Sequence, residues 1–426
     1  MKIKQMCMLV LLWLGVIPAM QAQTFDKLWK EVEQAEKKSL PQTVIKLTGE
    51  IYQKGEMEKN SPQMLKAYMW RMKYRDMLTP DSLYTGLQEL KQWAKQADKP
   101  MDRAILHSLI AGMYADYAAN NQWQLRQRTE IAGEAPSADM REWTANMFVE
   151  KVRTNVKEAM ADSVLLLNTS SRTYIPFVEL GETSEYYHHD MYHLLASRSI
   201  EALQRIQGLD RTTPIEAYSE ETSSEKESLV KQDIERIYDQ MLTSYKAKGD
   251  KEGCLLTSLN YLNWKHGTSK SFREPFRVKK GGTYMTFDPY ETGLDALKTE
   301  YKSLDLCAEV YLAQANNAIG KEQETVALQL CDEAIRLYPG YRRINALKNL
   351  REDILAPSLN VTAAATAFPG EEIEIRASHK NLDGFTLRLY QAKKMIKEQH
   401  FAVLRPKDYR TQDTVFTFKA PEVGEY

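Results

Sequence analysis

Ala327-Leu328-Gln329-Leu330-Cys331-Asp332-Glu333-Ala334-Ile335-Arg336-Leu337-Tyr338-Pro339 is the stretch on which the fold turns. Ala327, Cys331, Ala334, Ile335 and Leu337 recur at helical spacing, which gathers apolar side chains on one face of an α-helix. Tyr338-Pro339 stops it, because proline has no N–H for the helical ladder and disfavours helix in the residue before it. Upstream, Leu306, Val310, Ala313 and Ala315 mark a partner helix that begins at Leu304, and Ile319-Gly320-Lys321 supplies the turn between the two. The unit is therefore helix, glycine turn, helix.

The same signal extends from Thr24 to Leu355. Leu83, Leu87, Leu90, Ala94 and Ala97 form one stripe, Ile105, Leu109, Met113 and Tyr117 another, and Ile234, Ile237, Met241 and Tyr245 a third. Lys54-Gly55-Glu56 and Lys248-Gly249-Asp250 read as further turns, with glycine in the left-handed conformation that ends a helix and Asp250 as the cap of the next. The run Ala334 to Pro339 resembles the end of a tetratricopeptide repeat, with a small residue at the close helix contact and proline beyond the end. Pairs such as Ile237 to Trp264 and Leu47 to Tyr74 are more degenerate, so a tetratricopeptide-like array over 23–356 is expected. Stacking neighbours supply its core. Three non-helical excursions interrupt it, near 168–180, 211–224 and 268–289; the last holds Gly281-Gly282, Lys279-Lys280 and several aromatics.

At Pro357 the period changes from that of helix to two. Leu359-Asn360-Val361-Thr362, Glu372-Ile373-Glu374-Ile375-Arg376, Phe385-Thr386-Leu387-Arg388-Leu389-Tyr390 and Val415-Phe416-Thr417-Phe418 alternate apolar with polar, with turns at Pro369-Gly370 and Asp383-Gly384. Residues 357–426 are expected to form an antiparallel β-sandwich. Val423-Gly424-Glu425-Tyr426 reads as the entrance to another strand, so the sandwich is expected to be incomplete. The fold class is mainly α, an array followed by that domain.

Lys2 and Lys4 precede an apolar run from Met6 to Ile17, and Pro18-Ala19-Met20-Gln21-Ala22 follows; together they form a secretory signal peptide over 1–22. Cleavage is expected after Ala22, leaving Gln23 first, with Ala19 as the alternative. The apolar run is shorter than the ~20 residues that span a bilayer, and no later segment is long and charge-free enough to do so. The chain is thus expected to be exported to the periplasm or cell surface without a transmembrane segment. Basic and acidic residues nearly cancel, 57 against 58, which gives no support to a nucleic-acid partner. Cys254, Cys307 and Cys331 contain no C-x-x-C pair, which excludes a zinc ribbon or thioredoxin-type site. Cys307 and Cys331 could be bridged, or both could be buried and reduced.

Candidate chemistry is sparse. His189-Asp190-Met191-Tyr192-His193 places two histidines four apart, and on a helix these could share a zinc ion with an intervening acid as in metalloproteases. Asp is shorter than the usual Glu and no third ligand is near, so solvated histidines at a helix start are the competing reading. Glu371-Glu372 and Glu220-Glu221 are adjacent carboxylates and read as solvated faces. The sequence contains no G-x-S-x-G, G-x-x-x-x-G-K or G-x-G-x-x-G. No catalytic residue and no cofactor is expected.

Leu109-Ile110-Ala111-Gly112-Met113-Tyr114-Ala115-Asp116-Tyr117, with Asn120-Asn121-Gln122-Trp123 and Arg128-Thr129, resembles an early helical pair of the large alpha-2-macroglobulin-like proteins of Bacteroidetes. Met140-Arg141-Glu142-Trp143-Thr144 resembles that family's next helix start. Asp190-Met191-Tyr192-His193-Leu194-Leu195-Ala196-Ser197-Arg198 resembles its Tyr-Asp-x-Leu-Ala-x-Arg segment. Asn381-Leu382 with Leu387-Arg388-Leu389-Tyr390 is similar to the opening strands of its first macroglobulin-like domain. The resemblance covers most of the chain and rests on diffuse patterns; the family's thioester sequence, a Cys closely followed by Glu-Gln, does not occur, nor does a recognisable bait segment.

That resemblance implies a non-catalytic amino-terminal scaffold of a protease-trapping endopeptidase inhibitor, whose protein partners, proteases among them, are met through downstream domains. A stand-alone tetratricopeptide-like scaffold that binds proteins or peptides is the alternative, and a zinc peptidase the third reading.

Overall fold

The computed structural model describes residues 24–79, 82–128, 137, 139–181, 184–210, 228–280, 283–391 and 393–419. The expected signal peptide, the expected 211–224 excursion and the residues after 419 lie outside the described residues. Helix makes up 64% and antiparallel strand 14%, as expected of a mainly α chain with a small β region. The chain divides into two compact units, Met1–Met241 and Leu242–Tyr426.

In the first unit, α1 (Phe25–Lys37), α2 (Pro41–Met57), α3 (Ser61–Leu78), α4 (Ser82–Gln96) and α5 (Pro100–Asn120) follow one another with short connections. The short α6 (Gln122–Arg126), then α7 (Ala145–Ala159), α8 (Ser163–Asn168) and α9 (Met191–Ile206) come next. The division between units falls within α10 (Leu229–Lys248). Asparagine and aspartate start several helices by accepting orphan backbone N–H groups: Asn60 from Gln63 at 3.3 Å and Asp162 from Leu165 at 2.9 Å.

Helix α5 is the centre of this unit, packed against α4, α7 and α9. Met101, Ala104, Ile105, Leu106, Ile110, Ala111, Tyr114, Ala115 and Ala118 are all buried. The expected stripe Ile105, Leu109, Met113 and Tyr117 is thus too narrow, and only Ile105 of the four is fully buried. A helix with three neighbours has little solvent face left, so periodicity alone misassigns it.

The glycine turns need correction at two of their three sites. Gly249 does adopt φ +69°, and Asp250 then caps the next helix by accepting from Gly253 N at 2.8 Å. Gly55, however, lies inside α2, and Lys59 (φ 52°) makes the left-handed turn. Gly320 likewise ends its helix, and Glu322 (φ 57°) makes the turn. Gly55 serves packing instead: a Cβ there would stand 2.9 Å from Met64 Cγ and 3.3 Å from Met64 N, so its absence lets the end of α2 meet the start of α3.

In the second unit, α11 (Lys251–Thr268) and the one-turn α12 (Lys270–Arg273) lead into an antiparallel ribbon, β1 (Phe276–Lys280) and β2 (Thr283–Phe287). The excursion expected near 268–289 is this ribbon. Helices α13 (Pro289–Glu300), α14 (Ala308–Gly320), α15 (Glu324–Leu337) and α16 (Ile344–Leu355) follow. In α15, Ala327, Cys331 and Ala334 are buried as the opening stretch implies, but Leu337 is 41% exposed. Tyr338 takes its place inside, with its ring edge-on to Tyr311 at 5.9 Å and its hydroxyl donating to Lys302 O at 3.0 Å.

Helical character ends at Leu355 and strand character begins at Ser358. Strands β3 (Ser358–Ala363), β4 (Glu372–Lys380) and β7 (Gln412–Lys419) form one antiparallel sheet in the order β3-β4-β7. Strands β5 (Gly384–Gln391) and β6 (Lys394–Ala402) form a second. Ile375, Phe401 and Phe418 are the buried core between them, flanked by Phe385, Leu387 and Phe416. The register sets Leu359 and Val361 opposite His379 and Ala377, on the buried face of β4, yet Leu359 and Val361 are 41% and 40% exposed. Strand β6 escapes the sequence reading because Lys397, Gln399 and His400 blur its alternation.

Asn381 ties β4 back to α16. It sits at φ 56°, and its buried Nδ2 donates to Ile354 O at 2.8 Å and Ala356 O at 3.2 Å. Asn381→Gly keeps the left-handed backbone accessible and removes only the amide, so it should cost about 1–2 kcal/mol in denaturant unfolding. A loss within measurement error would show that these bonds do not hold the junction.

Candidate functional site

The histidine segment is built around a helix start. Asp190 has an extended backbone, and its Oδ1 accepts from His193 N at 2.8 Å, capping α9. Around it, His189 O accepts from Ser171 N at 2.8 Å, and Met191 N donates to Thr169 O at 2.9 Å. A one-residue antiparallel bridge, Ser170 to Asp190, thus joins the connection after α8 to the start of α9.

This geometry does not place the two expected zinc ligands on one helical face. Helix α9 begins at Met191, so His189 precedes it in extended chain and does not share a helical face with His193. Asp190, the acid that would polarise a metal-bound water, is the cap. The His193 ring lies stacked on Tyr187, with centroids 4.0 Å apart and planes 23° apart. Burial pushes its pKa down to about 4, against the opposing pull of Asp190 and with help from His189 and His188. Among the described residues, no group of three His, Cys, Asp or Glu side chains could hold a metal ion.

A second polar cluster lies in the first unit, and the sequence reading missed it. Asp102, buried in the first turn of α5, accepts from Ser61 Oγ at 2.6 Å on one oxygen and from Tyr174 OH at 2.6 Å on the other. Lys99 Nζ donates to Ser61 Oγ at 3.0 Å and to Lys59 O at 3.2 Å. A serine beside a lysine invites comparison with a nucleophile and its base. Here the hydroxyl donates to the Asp102 carboxylate and accepts from Lys99, so the lysine is placed as a donor to the serine and not as its base. Burial, and next the bond to Asp102, hold the Tyr174 phenol well above its ordinary pKa, so it stays a donor. The cluster joins the starts of α3 and α5 to the irregular turn at Ser171–Tyr174. The only trace in sequence is an aspartate in a helical first turn, which is too common to single out.

Cys254, Cys307 and Cys331 are free and buried, with no bridge between Cys307 and Cys331. Burial raises all three thiol pKa values, that of Cys331 to about 11, the opposite of what a nucleophilic thiolate needs. No helix among the described residues is long and apolar enough to cross a membrane. Compared with known proteins, the chain matches no family model, no curated protein and no solved structure.

Two outcomes follow from these geometries. His193 has a folded pKa below its unfolded value of about 6.5, so its contribution is complete above that pH and is lost as the pH falls toward 4. His193→Phe, which keeps a ring on Tyr187, should therefore remove roughly 2 kcal/mol of the stability loss seen between pH 7 and 4, after discounting for partial exposure. An unchanged pH profile would contradict the assignment. Asp102→Ala should cost about 3 kcal/mol at pH 7, because it strands two buried hydroxyls, Ser61 Oγ and Tyr174 OH, whereas Tyr174→Phe should cost about 1 kcal/mol. Equal losses from the two variants would mean that Asp102 is not the hub.

Proposed function

We propose that this chain is a non-catalytic protein-binding scaffold, the amino-terminal helical array and opening sandwich domain of an exported alpha-2-macroglobulin-like protease-trapping protein. The sandwich carries this reading. Leu359 and Val361 belong to the inner face of the β3-β4-β7 sheet, and the β5-β6 pair leaves them 41% and 40% exposed. Apolar side chains on an inner sheet face gain stability when a further layer covers them. An opening domain in a row of similar domains has such a layer available from its neighbour.

The helical part fits a tetratricopeptide-like adaptor, since α2 with α3 and α14 with α15 are close-packed antiparallel pairs joined by short turns. The side chains that suggested chemistry are engaged as caps, stacks and buried bonds, which supports a role in binding and positioning. In this reading the protein works in the periplasm or at the cell surface, and proteases are met by other domains.

The stand-alone peptide-binding scaffold has one observation in its favour. In the first unit, Trp29 and Trp70 meet edge-on at 6.0 Å, and Lys66 Nζ lies 4.8 Å and 5.3 Å from their ring centroids. Trp70 Nε1 and Tyr74 OH both donate to Glu36 Oε1, at 3.0 Å and 2.8 Å. Half-buried tryptophan is enriched at protein interfaces.

The test compares this chain with the product of the whole reading frame. Incubated with an endoprotease, the whole product should shield the enzyme from a large protein substrate while a small peptide substrate is still cleaved. The present chain alone should do neither, and should not digest casein with or without zinc. Failure of the whole product to shield would leave the free-standing scaffold. Casein cleavage abolished by His189→Ala with His193→Ala would revive the peptidase.

A further inference from the structure

The β1-β2 ribbon combines three properties that no packing role in the second unit explains. It is only two strands wide, so among the described residues one backbone edge of each strand has no strand neighbour. Such ribbons are marginal in water unless a third strand or a helix completes them. On one face, Phe276 and Phe287 are directly paired, with ring centroids 5.1 Å apart, and remain 48% and 38% exposed; Val278, two residues along β1, is 42% exposed. Arg277 and Lys279 alternate with these on β1 and so belong to the other face.

Charge narrows the occupant. From Lys270 to Phe287 the sequence has five basic residues, Lys270, Arg273, Arg277, Lys279 and Lys280, against one acid, Glu274, in a chain whose net charge is −1. A second copy of β1 laid alongside would bring like charges together across the new pair, which is destabilising. An anionic membrane would need apolar and basic groups on one side, with the apolar face buried and the bases at its rim. Here alternation sends them to opposite faces. An added strand meets both faces at once, because its own side chains alternate in the same way.

We propose that the edge of β1 docks an extended protein segment in which apolar residues alternate with acidic ones. Its backbone pairs with β1, its apolar residues cover Phe276 and Val278, and a carboxylate meets Arg277. This inference is independent of the macroglobulin reading, since it depends only on the ribbon.

The test uses the full chain and a fluorescein-labelled octapeptide of alternating valine and glutamate, followed by fluorescence anisotropy. Saturable binding is expected, weakened about tenfold or more by Arg277→Glu and by Phe276→Ser with Val278→Ser. Circular dichroism should be unchanged in both variants, because all three side chains are exposed. A peptide with alternate backbone amides methylated, which keeps its charges and cannot pair along its edge, should not bind. Binding of the methylated peptide equal to that of the parent would overturn the strand docking. So would the absence of saturable binding, or binding to phosphatidylcholine–phosphatidylserine vesicles in preference to the peptide.

Discussion

Burial of α5 on three sides is the constraint on which the first unit depends. Its neighbours α4, α7 and α9 each present an apolar stripe that would lie in water without it, and Tyr114, Ile105, Leu106 and Ile110 are among the largest fully buried side chains of the protein. Each such side chain is worth about 1.5–3 kcal/mol when removed from water. The stripes on the neighbours and the all-round burial of α5 are thus two sides of one packing solution. Aromatic contacts reinforce it: Tyr114 and Tyr117 of α5 meet Phe148 of α7 at 6.2 Å and 5.2 Å, and Trp143 meets Tyr114 at 5.5 Å.

Polar groups decide how the apolar solution is fixed in register. Asp102 accepts from two hydroxyls at the start of α5, Asp190 caps α9 while its segment bridges to Ser170, and Asn381 clasps the last turn of α16. Each is buried, so losing a partner would expose an unsatisfied group in a poorly solvating interior. These positions bear the residue types from which catalysis is usually built. Their geometry spends those groups on chain connection.

Legibility in the sequence followed the strength of the local signal. Ala327, Cys331 and Ala334 revealed a helix and its buried face because burial there is confined to one stripe, and the strands at Glu372 and Phe385 were readable because one face of each is apolar. The α5 stripe was misdrawn because burial on several sides erases periodicity. Gly55 misled as a turn because glycine signals both a left-handed backbone and a close approach, and only the tertiary contact with Met64 separates the two. His189 and His193 looked like a pair on spacing alone, and the helix start at Met191, fixed by Asp190 and the bridge to Ser170, parted them. The Asp102 cluster was invisible because its hydrogen-bonded pairs are 38 to 72 positions apart.

Native-state hydrogen exchange followed by mass spectrometry measures this account most directly. If α5 is the shared core of the first unit, its amides should be the slowest to exchange there, and α7 and α9 should open with it as one cooperative step. Exchange of α5 as fast as that of α1, or opening of α7 and α9 while α5 stays closed, would contradict a mutually supporting stack and leave the helices as independently stable elements.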